Sequence, residues 1–227
     1  MLRIKRVRYF VFAFLVAGAI QLPVGGAHAV GFGAYFEYGR AWGTFDGDAT
    51  PPDLSDYDQN QFGVGFALDT ALARDRVFNY RLNVGYERIH EESRSGVEMT
   101  SNGGALSNTF GFGIVRTDTM RVWLGPALRL GFDVRENTSG DVWDFDFGGG
   151  PVLGVNFHLG DRVSLGLTGG YHYMYTVRFN DVSFFDDNDF FDETYDNGQH
   201  LGFVRFTVFL RSGGDRFQAR SASPGTP

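Results

Sequence analysis

The chain contains 227 residues, of which 43% are hydrophobic and 16% aromatic, and its formal net charge is −7. The absence of cysteine excludes a disulfide scaffold, a cysteine-ligated zinc or iron–sulfur site and a cysteine nucleophile. The aromatic content excludes a disordered chain. The acidic balance argues against nucleic-acid binding, which requires a basic face.

The first 29 residues have the features of an export signal. Four basic residues precede an apolar stretch at 10–20, which is too short to cross a bilayer as a helix. Ala-His-Ala at 27–29 then has the small-x-small pattern of a cleavage site. We therefore predict a signal peptide at residues 1–29, with an uncleaved membrane anchor as the alternative. Cleavage would remove four basic and no acidic residues, so the net charge would change from −7 to −11.

Alternation of apolar residues with glycine or polar residues runs through the remaining chain. In the first run, Val30, Phe32 and Phe36 share one face, and Gly31 and Gly33 share the other. A period of two is typical of β-strands. It predicts eight strands, at 30–42, 61–70, 78–90, 106–116, 121–135, 142–159, 163–177 and 199–210. No segment has a convincing helical period.

The predicted connections differ in length at the two ends of the strands. Tight turns are predicted around residues 73–75, 117–119 and 160–161. Long polar loops are predicted at 43–60, 91–105 and 178–198, with a shorter one near 136–141. Bacterial outer-membrane barrels combine an even strand number with short periplasmic turns and longer external loops. The predicted fold is therefore all-β, an eight-stranded antiparallel up-and-down transmembrane β-barrel at 30–211, followed by a disordered periplasmic tail at 212–227.

The alternative is a soluble lipocalin-type barrel, in which the apolar face points inwards. A water-facing surface needs dense charge of both signs, but here the second face is mostly glycine and short polar residues. Such residues suit the narrow lumen of an eight-stranded barrel. Aromatic residues are expected as girdles at the two membrane interfaces: Trp42, Trp143, Tyr173 and Tyr175 outside, and Phe78, Trp123 and Phe157 nearer the periplasm. We therefore predict that the apolar face contacts lipid.

Gly-x-aromatic repeats occur at residues 30–33 (Val-Gly-Phe-Gly) and 110–113 (Phe-Gly-Phe-Gly). Together with the export signal, the eight strands and the unequal connections, they resemble small outer-membrane barrels of the OmpA transmembrane-domain, OmpX and opacity-protein type. The resemblance covers residues 30–211 and is architectural, because no motif identifies a single protein. It implies a Gram-negative outer-membrane location in contact with outer-membrane lipid and lipopolysaccharide.

Charged residues on the second face are predicted to point into the lumen. They are Glu37, Arg81, Glu87, Arg129, Asp133, Arg135, Asp144 and Arg205. Buried charges require partners, since an isolated one is costly. Because the last strand closes on the first, we expect Glu37 to pair with Arg205.

A second contact is expected across the hairpin of the fifth and sixth strands. Asp133 and Asp144 should lie near one another there, with Arg129 and Arg135 to neutralise them. Our interpretation of the lumen charges is an electrostatic plug, and a gated polar pore is the alternative.

The two longest predicted loops are acidic and become neighbours when the barrel closes. A loose calcium or magnesium site in them is conceivable, because hard cations favour several carboxylates. The residues concerned are Asp46, Asp48, Asp186, Asp187 and Asp189. The spacing does not match an EF-hand, so we favour solvated carboxylates and predict no metal or other cofactor. Exposed apolar residues suggest contact with a partner, and the candidates are Phe184, Phe185, Phe190 and Phe191.

Histidines are candidate catalytic residues, because some eight-stranded barrels modify lipid A. His90, His172 and His200 fall towards the outer half, and Ser93 is close to His90 in sequence. The Ser-His-acid arrangement needs these groups on one face, and no such strand motif is present. We therefore predict a non-enzymatic, monomeric protein with a structural or surface-interaction role and a possible extracellular protein partner. A small pore for small or hydrophobic solutes is the second hypothesis, and a lipid A-modifying enzyme the third.

Overall fold

A computed structural model shows a closed barrel of eight antiparallel strands, in which each strand pairs with its sequence neighbours and the last pairs with the first. The structure describes residues 30–46, 56–70, 77–93, 96, 98–137, 140–160, 162–180 and 195–211. The strands are β1 (Gly31–Asp46), β2 (Asp56–Asp69), β3 (Phe78–Ser93), β4 (Glu98–Arg116), β5 (Met120–Asn137), β6 (Gly140–Leu159), β7 (Val163–Asn180) and β8 (Tyr195–Arg211). The fold class predicted from alternation is confirmed. Among the described residues, no helix is long and apolar enough to cross a membrane.

The two ends of the barrel differ as the sequence predicts. At one end, here called the turn end, lie the connections 70–77, 117–119 and 160–162. At the opposite end, the loop end, the strands extend beyond their predicted bounds. The prediction of a loop over 91–105 was wrong, because β3 continues to Ser93 and β4 begins at Glu98. The reason is that inward-facing polar residues continue the alternation there, and Glu91, Ser93 and Ser101 are all buried.

The outward face is mostly apolar along the middle of the strands, and Asn108 on β4 is an exception that accepts a hydrogen bond from the hydroxyl of Tyr80. The exposed fraction reaches 77% for Phe66, 63% for Ile114 and 62% for Leu210. On β3 the outward apolar residues run from Phe78 to Tyr86, a span close to the ~9–11 residues that a tilted strand needs to cross a bilayer. This surface is suited to lipid and not to water.

Aromatic residues surround this band, with one correction to the predicted girdles. Trp42 and Tyr173 are exposed towards the loop end, and Phe78 and Phe157 towards the turn end. Trp123, which was predicted in the girdle, instead lies inside the barrel with an exposed fraction of 0%. It points inwards because it shares the face of Arg121 and Arg129 on β5, both of which are buried.

The inward glycines make room for large rings in the lumen. A Cβ atom at Gly154 would overlap the indole of Trp123, and one at Gly170 would lie 2.7 Å from the ring of Phe203. The rings therefore lie across neighbouring strands where those strands carry glycine. Much of the glycine excess thus reflects the narrow lumen, because a residue that lies against one of these rings has no space for a side chain of its own.

Candidate functional site

The lumen contains the candidate site, since it brings together described buried charged residues from six of the eight strands. They form three layers along the barrel axis. The turn-end layer consists of Asp69, Arg81 and Arg121, the middle layer of Glu37, Glu87, Arg129 and Arg205, and the loop-end layer of Glu91, Asp133, Arg135, Asp144 and Asp146.

In the turn-end layer, one arginine is coordinated by side chains from three other strands. Arg81 donates to Asp69 Oδ2 through Nη2 at 2.8 Å and through Nε at 3.0 Å. It also donates to the side-chain oxygens of Asn156, at 2.9 Å, and Thr168, at 3.0 Å. Charge-assisted hydrogen bonds of this kind are among the strongest in proteins. The guanidinium thereby ties β2, β3, β6 and β7 together.

The middle layer is a network of two carboxylates and two guanidiniums. Arg205 donates to Glu37 Oε2 through Nε at 2.6 Å and through Nη2 at 2.5 Å. Arg129 donates to Glu37 Oε1 at 3.0 Å and also to Glu87. Gly63 lies opposite both Glu37 and Glu87 in the register, so the two carboxylates flank a residue without a side chain. The formal charges of these four groups cancel.

Aromatic rings cover the guanidiniums of both layers. The Cζ of Arg81 lies 4.8 Å from the ring centroids of Trp123 and Phe209. The Cζ of Arg205 lies 4.9 Å from Tyr35 and 5.4 Å from Phe203. These distances allow cation–π attraction, which is stronger in desolvated surroundings. The rings also occupy space that water or a solute would otherwise use.

The loop-end layer has more negative than positive charge among the described side chains. Arg135 donates to Glu91 Oε2 at 2.9 Å and lies 3.6 Å from Asp144 Oδ2. Asp133 and Asp144 are opposite one another in the register of β5 and β6. Asp146 accepts hydrogen bonds from Thr176 and, at 3.2 Å, from Gln199. Neutral donors thus replace arginine in part of this layer.

All eight charged residues that the sequence assigns to the lumen are buried there, in three layers, and the partners of one of them differ from the expectation. Glu37 pairs with Arg205 as expected from the closure of β8 on β1. Arg129 was expected to neutralise Asp133 and Asp144, but it contacts Glu37 and Glu87 instead. The reason is that β1 and β3 bring their carboxylates to Arg129 from across the narrow lumen, and local hairpin pairing does not show this.

Among the described side chains, the sequence pattern misses four further charged residues of the lumen: Asp69, Glu91, Arg121 and Asp146. Each lies on the inward face by the same parity that identified the others. Asp69 and Glu91 fall at strand ends, where the sequence pattern does not separate a lumen residue from a turn residue. The alternation of inward and outward residues would identify these four residues if it were extended through the ends of the strands.

The three histidines singled out from the sequence do not share one face of the barrel wall. His90 and Ser93 are an odd number of residues apart on β3, so Ser93 faces the lumen and His90 the outer wall. His172 is fully buried in the lumen, 4.8 Å from the ring of Phe203. His200 lies on the outer wall, where it stacks on Trp42 with centroids 5.8 Å apart.

The predicted loop site falls mostly on residues that the structure leaves undescribed. Asp48, Asp186, Asp187, Asp189, Phe184, Phe185, Phe190 and Phe191 all lie outside the described residues. Asp46 lies at the end of β1, opposite Asp196 in the register. Within the described ranges, no group of three or more potential ligands is arranged to hold a metal ion.

Comparisons with known proteins agree on the architecture. No protein-family model and no curated protein matches the sequence. Outer membrane protein OprG from Pseudomonas aeruginosa has a similar structure, with 8% identity, a TM-score of 0.53, and coverage of 82% of this chain and 98% of that one. Neisserial surface protein A matches with 13% identity, a TM-score of 0.40, and coverage of 77% and 95%. The outer membrane protease OmpT from Escherichia coli matches with 7% identity, a TM-score of 0.36, and coverage of 84% and 98%. At such identities the likeness concerns the fold and not the activity, and the chain has the fold of the small eight-stranded outer-membrane β-barrels.

Proposed function

We propose that the protein is a monomeric outer-membrane barrel with a structural or surface-interaction role, whose lumen is closed by its own side chains. The apolar outer wall, the aromatic residues at both ends of it and the likeness in fold to OprG support a place in the outer membrane. The signal peptide at 1–29 would deliver it there, and the tail at 212–227 would lie in the periplasm.

The middle layer is the observation that supports a closed lumen most directly. Its four charged groups come from β1, β3, β5 and β8 and are joined by ion pairs, and the rings of Tyr35 and Phe203 lie against Arg205. A solute crossing this level must break a buried ion pair, which is costly in a low-dielectric interior. A rigid, plugged barrel therefore fits the site better than a conduit or an enzyme does.

Conductance in planar lipid bilayers tests this proposal. We expect the folded protein to show no stable ohmic conductance, and Arg129→Ala, which removes the partner of two carboxylates, to show one. Arg40→Ala is the matched control, because Arg40 forms its 3.1 Å ion pair with Asp58 on the exposed wall and not in the lumen. A steady conductance of the unmodified protein that Arg129→Ala leaves unchanged would favour the pore hypothesis.

The role in surface interaction is carried by the acidic loops. After signal removal the net charge of −11 includes the aspartates of 43–60 and 178–198, which barrel closure brings to neighbouring positions. We propose that Phe184, Phe185, Phe190 and Phe191 supply the contact with an extracellular partner. In this proposal Asp46, Asp48, Asp186, Asp187 and Asp189 keep the loops solvated.

A further inference from the structure

The outer wall changes character abruptly on β1 to β4. On β3 the outward residues are apolar up to Tyr86 and are then Arg88 and His90. On β2, Phe62 is followed towards the loop end by Asn60 and Asp58, and on β1 Tyr38 is followed by Arg40. Since the apolar band already spans a bilayer core, these polar residues lie at the level of the outer-leaflet head groups.

The polar residues line a shallow groove between neighbouring strands. The groove has a volume of about 390 Å³, and its walls are Tyr38, Asn60, Phe62, Arg88, His90 and Thr100. Phe62 packs on Tyr38 with ring centroids 5.2 Å apart, which gives the groove an apolar lower part. The hydroxyl of Tyr38 donates to Asn60 Oδ1 at 2.9 Å, so the amide nitrogen of Asn60 is left to face another acceptor. The groove is thus apolar on its membrane side and rich in donors on its loop side.

The arginine of this groove lacks an anion. Within the described part of the chain, Arg88 is exposed and has neither an ion pair nor a hydrogen bond. Arg40, by contrast, is paired with Asp58. His90 Nδ1 lies 3.3 Å from Thr100 Oγ1, which directs its other ring nitrogen elsewhere. An unpaired guanidinium beside hydrocarbon is unfavourable, so a ligand with negative charge at this level would be stabilised.

The opposite wall has no such feature. The described side chains that face outwards over the loop half of β5 to β7 are apolar or aromatic: Leu130, Phe132, Val134, Trp143, Phe145, Tyr173 and Tyr175. The exposed charged side chains described at this level are therefore concentrated on one side: Arg40, Asp58, Arg88, Glu92 and Glu98. A general need for interfacial anchors would place them around the full circumference.

We propose that this groove binds a phosphorylated glycolipid of the outer leaflet, with Arg88 as the main phosphate ligand and His90, Asn60 and Thr100 as further polar contacts. Arginine is suited to phosphate because its planar guanidinium donates two parallel hydrogen bonds. The acyl chains of the same lipid lie against Phe62 and Tyr38. Glu92 and Glu98 are opposite each other in the register and follow His90 and Thr100 towards the loop end. Their negative charge repels the phosphate from that side and keeps it at Arg88. This inference rests on the outer-membrane location in the proposed function but not on the closed lumen.

Native mass spectrometry of the folded barrel in detergent tests the groove directly. The probes are lipid A with both phosphates, the same lipid without phosphates, and inorganic phosphate. We expect one bisphosphorylated lipid to stay bound and Arg88→Gln to weaken that binding about tenfold, as loss of a charge-assisted contact implies. Arg162→Gln, which removes an exposed arginine at the turn end, is the matched control and should bind as the unmodified protein does.

Each outcome has a defined meaning. Equal binding by Arg88→Gln and Arg162→Gln, or equal binding of lipid A with and without phosphates, would overturn the proposal. Displacement of the lipid by millimolar inorganic phosphate would also overturn it, because the acyl chains would then contribute nothing. Heat-modifiable migration of each variant on SDS gels confirms folding. A barrel that is not an outer-membrane protein would fail that gel assay, whereas failure of the groove alone would leave it unchanged.

Discussion

The two halves of the lumen stabilise their buried charged side chains in different ways. Towards the turn end, in the turn-end and middle layers, Arg81 and Arg205 each have a carboxylate partner and two aromatic rings against the guanidinium. In the loop-end layer, Arg135 contacts Glu91 and Asp144, and the neutral donors Thr176 and Gln199 donate to Asp146. Backbone register places Arg178 opposite Asp144 at the rim of this layer. The comparison teaches that buried acids and bases are equal in number in the middle layer, whereas the loop-end layer also relies on neutral donors.

The largest expected effect is that of Glu37→Gln in the middle layer. This change leaves Arg129 and Arg205 buried with only Glu87 to neutralise them. Breaking a buried ion pair typically costs about 3–5 kcal/mol. Equilibrium unfolding in urea, followed by gel mobility, should show this loss, and Glu91→Gln in the loop-end layer should lose clearly less. If Glu37→Gln and Glu91→Gln lost equal free energies of unfolding, the two halves of the lumen would not differ in the way described.

A smaller effect is expected from Gly154→Val. The new side chain would overlap the indole of Trp123, and overpacking of a filled interior typically costs about 1–3 kcal/mol. Gly169→Val is the control, since a Cβ there would have its nearest neighbour at 3.7 Å. The same unfolding assay applies. If both valine variants unfolded alike, the rings would not be packed against the glycines as described.

The smallest effect is expected from Asp133→Asn in the loop-end layer. Asp133 faces Asp144 across the hairpin, so removing its charge relieves a like-charge contact. The free energy of unfolding should therefore fall much less than in Glu37→Gln, and it should rise if the like-charge repulsion dominates. A loss as large as that of Glu37→Gln would show that the loop-end layer is balanced as strictly as the middle one.

Most of the fold could be predicted from the sequence, because the period of two fixes which residues share a face. Even strand 8, where Phe203 and Phe209 blur the pattern, is resolved once Arg205 between them is required to be buried with a partner. Register could not be predicted in the same way. A shift of two residues keeps every side chain on its face but changes its neighbours. For this reason the partner of Arg205 on the adjacent strand was found, while the partners of Arg129 across the lumen were not.

Trp123 shows a second limit of sequence reasoning. Tryptophan is common at membrane interfaces, and its position near a strand end favoured that assignment. Its parity placed it in the lumen, and the decisive fact was the presence of glycine at position 154 on the neighbouring strand. The sequence of one strand therefore does not determine whether a large ring lies in the lumen or on the outer wall. The residue opposite it on the neighbouring strand must also be known.

The pairing of Glu37 with Arg205 also bears on how the barrel assembles. These residues are 168 positions apart and sit on the first and last strands. In an open sheet both side chains can be hydrated, so neither gains from the other. When β8 pairs with β1, the side chains of Glu37 and Arg205 lose their water and form their ion pair. The backbone hydrogen bonds between β1 and β8 form in the same step. A partly closed sheet therefore gains little stability from this ion pair. The pairing of β8 with β1 makes the last step of barrel closure cooperative.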